Sequence, residues 1–179
     1  TSYVSEKEEG IEQLEKIIKR VLEDKARFER ELRIRQQQET LKTKSFKALK
    51  GQLPWPAEGR IISKFGRQWN PKLKTTTENP GIDIKGKPGS SIRTVLGGVV
   101  TTITYIRGYG TTIIVDHGGG FYTVYSHVTN IQTNVDSQVR NGDVIAYMGD
   151  SGSINGSKLH FEIWGKGQKL DPERWLRKK

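Results

Sequence analysis

Cysteine is absent from this 179-residue sequence, and so is any long apolar run. The first absence excludes disulfides and thiolate metal sites, but it leaves the compartment open, because many exported domains also lack cysteine. No stretch approaches the roughly 20 apolar residues that a membrane-spanning helix needs. The chain begins at Thr1 without the apolar core of a signal peptide, so we expect a mature or excised segment of something longer.

Acidic residues are also scarce relative to basic ones. The formal net charge is +10, the sequence pI is about 9.8 and the mean hydropathy is −0.65. A basic chain suits nucleic acid, anionic lipid or an acidic polymer, although a solvated basic surface explains the charge equally well. No nucleic-acid-binding motif accompanies the charge, so we do not expect a nucleic-acid partner.

Residues 1–50 lack proline and contain a single glycine, Gly10. Apolar residues recur there at three- and four-residue steps, with Lys7 and Lys25 interrupting the same heptad. The apolar positions are Val4, Ile11, Leu14, Ile18, Val21, Phe28 and Leu32. This spacing predicts a long amphipathic helix of the coiled-coil type, whose seam requires a partner. A second helix, a second copy of the chain and the C-terminal domain all remain open as partners, as does a solvated stalk without further role.

The helical pattern fades after Leu41, and a basic linker is predicted to end at Gly51. Its lysines are Lys42, Lys44, Lys47 and Lys50. Pro54 and Pro56 then exclude a helix, because each proline restricts the preceding residue and lacks a backbone donor. The sequence therefore predicts a helical segment and linker over 1–50 and a separate domain over 51–179.

The second region has the pattern of short strands. Glycine becomes frequent, and β-branched runs are bounded by turn residues. The predicted strands include 99–103, 111–115, 121–125 and 144–148. They follow one another too closely for crossover helices, so the expected fold is mostly β and antiparallel.

Twelve short motifs follow one another in a fixed order through this region. They are Pro54–Pro56, Gly59–Ile61, Phe65–Arg67, Gly81–Ile84, Pro88–Ser90, Gly97–Val100, Gly108–Gly110, Val115–Gly120, Tyr125–His127, Val139–Ile145, Leu159–Ile163 and Asp171–Leu176. Each motif is weak alone, but together they resemble the LytM or lysostaphin-like zinc endopeptidases, the Duplicated Hybrid Motif fold. The resemblance implies an antiparallel β domain that cleaves peptide cross-links in peptidoglycan.

The resemblance also implies a zinc ion held by two histidines and an aspartate, with a water in the open position. Asp83 matches the aspartate, and His160 matches the second histidine of a His-x-His pair. Asn79 stands where the other histidine ligand belongs, and Lys158 replaces the first histidine of the pair. His127 matches the remaining catalytic histidine, so two of three ligands and one of two catalytic histidines are retained.

These two replacements argue against a working metal centre. A neutral amide such as Asn79 is a poorer zinc ligand than imidazole. The ammonium of Lys158 has no lone pair, and its charge would lie where a cation should bind, so it is expected to pair with Asp83. Asp83 and His160 could alternatively form a buried structural pair. A replacement ligand at Glu78 is less favoured, and His117 is interpreted as a turn residue.

LytM domains that lack ligands and follow a coiled coil resemble the murein hydrolase activators of the EnvC and NlpD kind. That resemblance implies a non-catalytic regulator, without cofactor, whose emptied groove binds and activates a cell-wall amidase during division or envelope remodelling. It also implies a periplasmic or cell-envelope location. The expected groove residues are Asn79, Asp83, Tyr109, Tyr125, His127, Lys158 and His160. A peptidoglycan-binding module and an active zinc endopeptidase with unusual ligands remain as alternatives.

Overall fold

The computed structural model describes residues 2–150, 153 and 156–179, and it describes side chains at 4–37 and again from Phe46 onward. The chain forms two compact units, Thr1–Leu41 and Lys42–Lys179. None of the described helices is both long enough and apolar enough to cross a membrane.

The first element is one long helix, α1 (Ser2–Ala48), which confirms the helix predicted from the heptad pattern. The seam residues are exposed, with relative accessibilities between 43% at Leu32 and 66% at Phe28. Ion pairs between neighbouring turns lie on its surface, at Lys16–Glu12 (3.0 Å) and at Arg27–Asp24. Whether the seam pairs with another helix stays a prediction.

Residues 42–48 differ from the prediction, because the helix continues through the expected basic linker to Ala48. Lysine and alanine, which are good helix formers, together make up more than half of this segment, so its composition does not oppose a helix. Phe46 supplies a tertiary reason, since its side chain is fully buried in the second unit. Lys42 and Lys44 lie outside the residues whose side chains are described.

The second unit is built from short strands and one helical turn. The strands are β1 (Arg60–Ser63), β2 (Gly66–Asn70), β3 (Thr75–Asn79), β4 (Ile82–Lys85), β5 (Ser91–Arg93), β6 (Gly98–Ile106), β7 (Gly110–Gly118), β8 (Phe121–Ser126), β9 (Val128–Thr129), β10 (Gln138–Val139), β11 (Val144–Met148), β12 (Lys158–Gly165) and β13 (Gln168–Leu170). The helical turn α2 (Pro172–Trp175) is capped by Asp171, whose side chain accepts a hydrogen bond from the Glu173 amide.

The principal sheet has the order β1-β4-β12-β8-β7-β6-β10, with β13 paired to β12. A three-stranded sheet, β5-β11-β9, and the hairpin β2-β3 complete the unit. The strand pairings within it are antiparallel, which confirms the predicted mostly β, antiparallel fold. Gly81 permits the close approach of β4 to β12, because a Cβ atom there would lie 2.1 Å from the Phe161 carbonyl oxygen.

The core of this unit extends from the principal sheet to the end of α1. The Phe46 ring stacks on Phe121 at 4.4 Å between centroids and lies 5.3 Å from both Trp175 and His117. Close to this cluster, Leu53 forms a parallel bridge with Leu176. Phe46 at the end of α1, together with Trp175 and Leu176 near the C-terminus, is therefore part of the core of the β domain.

Candidate functional site

A pocket of about 280 Å³ lies where the sequence predicted the groove. Six of the seven predicted groove residues line it: Asn79, Asp83, Tyr109, His127, Lys158 and His160. The remaining lining residues are Ser63, Thr77, Glu78, Pro80 and Gly108. The site thus draws on the β1 strand, the β2-β3 hairpin, β4, β12 and the loops that precede β7 and follow β8.

Strand β12 supplies a row of polar side chains on one face. Side chains two residues apart point to the same side of a strand, which places Lys158, His160 and Glu162 in line. Asp83 on β4 is the register partner of His160. The Asp83 carboxylate can therefore reach both Lys158 and His160 from the neighbouring strand.

These groups form a continuous chain of charged contacts. Lys158 Nζ donates to Asp83 Oδ2 at 3.1 Å, and His160 Nδ1 lies 2.6 Å from Asp83 Oδ1. On the other side of the ring, His160 Nε2 lies 2.7 Å from Glu162 Oε2. Trp164 Nε1 donates to Glu162 Oε1 at 2.8 Å. We refer to Lys158, Asp83, His160 and Glu162 as the ion-pair chain.

The contacts of His160 favour its charged form. Ionised carboxylate oxygens only accept hydrogen bonds, so contacts with Asp83 and Glu162 favour the imidazolium, in which both ring nitrogens donate. Burial acts to lower the pKa of His160, but the bonds to Asp83 and Glu162 outweigh it and raise that pKa above its ordinary value. Burial likewise acts to raise the pKa values of Asp83 and Glu162, yet their contacts with His160 hold both below the ordinary range.

Asn79, at the end of β3, is also fully engaged. Its Nδ2 donates to Ser63 Oγ at 2.9 Å, and its Oδ1 accepts from the Gly81 amide at 3.1 Å. The side chain thus joins the β2-β3 hairpin to β1 and to the start of β4. This is a structural bridge between three segments of the pocket wall.

Tyr109 and His127 form the opposite part of the pocket. The Tyr109 ring is tilted over His160 with 5.2 Å between centroids, and burial, followed by the charges of Glu162 and Asp83, raises the pKa of its hydroxyl. The His127 amide donates to the Tyr109 carbonyl at 2.8 Å. His127 has φ 63°, a left-handed conformation that non-glycine residues adopt at some cost. The backbone therefore fixes His127 beside Tyr109.

Tyr125 is a correction to the predicted groove. Its side chain is fully buried, and its hydroxyl accepts from the Val95 amide at 3.1 Å and lies 2.9 Å from Thr123 Oγ1. Alternation along β8 explains the error, because Tyr125 faces the core together with Phe121 and Thr123.

His117 is a second correction, because it lies within β7 and is buried, not at a turn. Its Nδ1 lies 2.9 Å from the Gly97 carbonyl oxygen, and its Nε2 lies 2.7 Å from Thr123 Oγ1. Burial lowers the pKa of this histidine. His117 is therefore a neutral core residue, and the two glycines after Gly118 form the turn.

Glu162 and Ser63 were missed by reasoning from the sequence. Glu162 follows His160 by two residues on a strand, so alternation alone could have placed it beside the ring. Ser63 carried no such signal, because its proximity to Asn79 arises from the pairing of β1 with β4.

The donor atoms at this site do not fit a zinc ion as they are arranged. Both nitrogens of His160 and both oxygens of Asp83 are already in contact with other side chains. Lys158 brings a positive charge to the position that a cation would need. Within the described residues, no group of three or more histidine, cysteine, aspartate or glutamate side chains is placed to hold a metal ion.

An antiparallel β domain with a polar pocket at β4 and β12 defines a LytM-type, peptidase-like domain. The profile of Peptidase family M23 matches residues 77–172, and the chain belongs to that family. This confirms the family expected from the ordered motifs.

Two curated relatives are named as activators. The chain is 33% identical over 129 residues to "Murein hydrolase activator EnvC" of Escherichia coli, covering 72% of this chain and 30% of that protein. It is 37% identical over 123 residues to "Murein hydrolase activator NlpD" of Escherichia coli, covering 68% of this chain and 30% of that protein. The chain thus spans about a third of the length of these relatives.

Among solved structures, the fold is similar to that of a zinc-containing peptidase from Vibrio cholerae. The TM-score is 0.64 at 21% identity, with 70% of this chain and 40% of that chain covered. At this identity the similarity establishes the fold.

Proposed function

We propose that this chain is a non-catalytic regulator of cell-wall hydrolysis whose pocket binds and activates a peptidoglycan amidase. The observation that carries the proposal is the ion-pair chain, which engages Asp83 and His160, the two residues that match the family's metal ligands, while the surrounding pocket remains open. A peptidase-like domain arranged in this way keeps a shaped surface without the means to activate a water molecule. The names of the two curated relatives support the same role.

The pocket has properties that suit a protein partner. Tyr109 offers an aromatic ring at its wall, and the exposed Glu78 offers a negative charge. The ion-pair chain and the Asn79 bridge fix the strands beneath, so little ordering cost remains when a partner binds. An amphipathic helix laid into the pocket is a recurring recognition mode for a surface of this kind.

The decisive experiment adds the purified chain to a cell-wall amidase and follows dye release from labelled sacculi. We expect stimulation by the chain and no release by the chain alone. Tyr109→Ala and Lys158→Ala should each abolish most of the stimulation, because they remove the aromatic wall and one end of the ion-pair chain. Tyr105→Ala and Lys87→Ala are matched controls, since both residues are exposed and neither lines this pocket.

Other outcomes distinguish the alternative functions. Dye release by the chain alone that stops on addition of a chelator would overturn the proposal and favour an endopeptidase. Co-sedimentation with sacculi that depends on Tyr109, without any stimulation, would favour a peptidoglycan-binding module instead.

The proposal also assigns the protein to the periplasm or cell envelope, during division or envelope remodelling, because the polymer that the amidase cleaves is there. Detection of the native protein in a periplasmic or envelope fraction is expected. Recovery from the cytoplasmic fraction alone would contradict this part of the proposal.

A further inference from the structure

A second cavity, of about 410 Å³, opens on the β domain away from the ion-pair chain. It is lined by Trp55, Pro56, Ala57, Glu58, Ser90, Ser91, Arg93 and Arg177. No described residue lines both this cavity and the pocket at β4 and β12. We refer to it as the Trp55 cavity.

The lining residues include two arginines, Arg93 and Arg177, and one acidic residue, Glu58. Arg93 Nη1 donates to the Gly142 carbonyl at 2.9 Å, which positions this guanidinium and occupies one of its five N–H groups. Lys179 lies beside the cavity, with Nζ 4.4 Å from the centroid of the Trp55 ring. Positive charge therefore exceeds negative charge here, and arginine is the side chain best suited to hold a carboxylate through paired hydrogen bonds.

The remaining wall combines an aromatic ring with hydroxyl groups. Trp55 Nε1 donates to the Arg177 carbonyl at 2.8 Å, so the polar edge of the indole is satisfied and the ring is held in place. Ser90 Oγ donates to the Lys87 carbonyl at 2.7 Å, which leaves its oxygen able to accept a hydrogen bond. An apolar ring beside fixed polar groups can contact the carbon face of a sugar while the hydroxyls of that sugar are hydrogen-bonded.

We propose that the Trp55 cavity binds a carboxylated saccharide, with Arg93 and Arg177 holding the carboxylate and Trp55 contacting the sugar ring. The volume accommodates one or two sugar units of a polymer. Such a site would attach the domain to an anionic glycan and leave the other pocket accessible to a protein partner. The inference does not depend on the proposed activation of an amidase.

The test is a titration of the isotope-labelled chain, followed by nuclear magnetic resonance. N-acetylmuramic acid is the probe, and N-acetylglucosamine is its match without the lactyl carboxylate. We expect the indole N–H signal of Trp55 to shift with the first sugar, at an affinity at least tenfold higher than with the second. Arg93→Gln and Arg177→Gln should each weaken binding about tenfold, as expected for a charge-assisted hydrogen bond.

Arg140→Gln is the matched control, because Arg140 is an exposed arginine that does not line this cavity. The affinity of this variant for N-acetylmuramic acid should equal that of the unmodified chain. The amide spectrum of each variant reports whether the fold is retained. If Arg93→Gln disturbs the local structure by losing the contact with Gly142, Arg177→Gln still tests the site.

Glucuronic acid tests whether the site recognises carboxylated sugars in general or a wall sugar in particular. Equal affinity for the two carboxylated sugars indicates a site for such saccharides in general, whereas preference for N-acetylmuramic acid indicates a wall glycan whose lactyl carboxylate is free of stem peptide. Equal binding of N-acetylglucosamine, no binding of either acid, or shifts confined to the residues around His160 would each overturn the proposal. Amidase stimulation that persists in Arg177→Gln would show that the two sites act separately.

Discussion

The two units of this chain use apolar and charged residues in opposite ways. Residues 1–41 contain 9 basic and 10 acidic side chains, for a net charge of −1, whereas residues 42–179 contain 21 basic and 10 acidic side chains, for a net charge of +11. The large apolar side chains of the helix at 4–37 are exposed, whereas those of the sheet form a continuous core. The β domain can therefore be stable by itself, and it also carries the excess charge that suits an anionic partner.

The largest difference in stability is expected between substitutions of two phenylalanines in the same helix. Phe46→Ala should destabilise the β domain by about 3–5 kcal/mol, because it removes a fully buried ring from the aromatic cluster. Phe28→Ala is the control, because Phe28 is exposed on the helix. Its effect should stay within about 0.5 kcal/mol. Denaturant unfolding followed by tryptophan fluorescence measures both, and equal losses would contradict a boundary of the β core at Phe46.

The contribution of ion pairs to the free energy of unfolding should also differ between the two units, but by a smaller amount. Asp83→Ala should cost about 2–4 kcal/mol, since it leaves Lys158 and His160 without their shared carboxylate in a mostly buried place. Asp24→Ala removes a surface pair within the helix and should cost about 0.2–0.5 kcal/mol. The same unfolding measurement applies. A negligible effect of Asp83→Ala would mean that the ion-pair chain does not contribute to stability.

The pH dependence of the stability follows from the shifted pKa values within the ion-pair chain. His160 has a raised pKa, so its contribution is complete below its ordinary pKa of about 6.5 and is lost as the pH rises through the raised value. Asp83 and Glu162 have lowered pKa values, so their contributions are complete above about 4.3 and are lost as the pH falls through the lowered values. The stability difference between the unmodified chain and Asp83→Ala should therefore be largest between about pH 4.5 and 6.5.

A direct measurement compares the histidine rings by nuclear magnetic resonance. His160 should titrate above the ordinary range, and His117 should titrate below it because burial disfavours its charged form. Titration of both rings at the same ordinary pH would contradict the environments described for them.

The smallest change in stability is expected from a substitution in the exposed seam of α1. Ile18→Gln should change the stability of the β domain by less than about 0.5 kcal/mol, because Ile18 is exposed on the helix. Sedimentation at increasing concentration gives a second readout, since a seam that pairs with another copy would associate less after the change. A substantial loss of domain stability would mean that the seam packs against the β domain.

Sequence reasoning was most successful where a local pattern determines the structure. Heptad spacing predicted α1, alternation with turn residues predicted β6, β7, β8 and β11, and the charge at Lys158 predicted its pairing with Asp83. It failed where tertiary contacts decide. Phe46 prolongs the helix because a cluster formed by distant residues receives it, and Tyr125 points inward because of the orientation of its strand.

The double engagement of His160 has a consequence for any attempt to place a metal ion at this site. Replacing Asn79 with histidine would not by itself create a metal centre, because Glu162 and Lys158 would still hold His160 and Asp83 in their present partnerships. Changes on two strands, β3 and β12, would be needed together. The ion-pair chain therefore opposes metal binding independently of the residue at position 79.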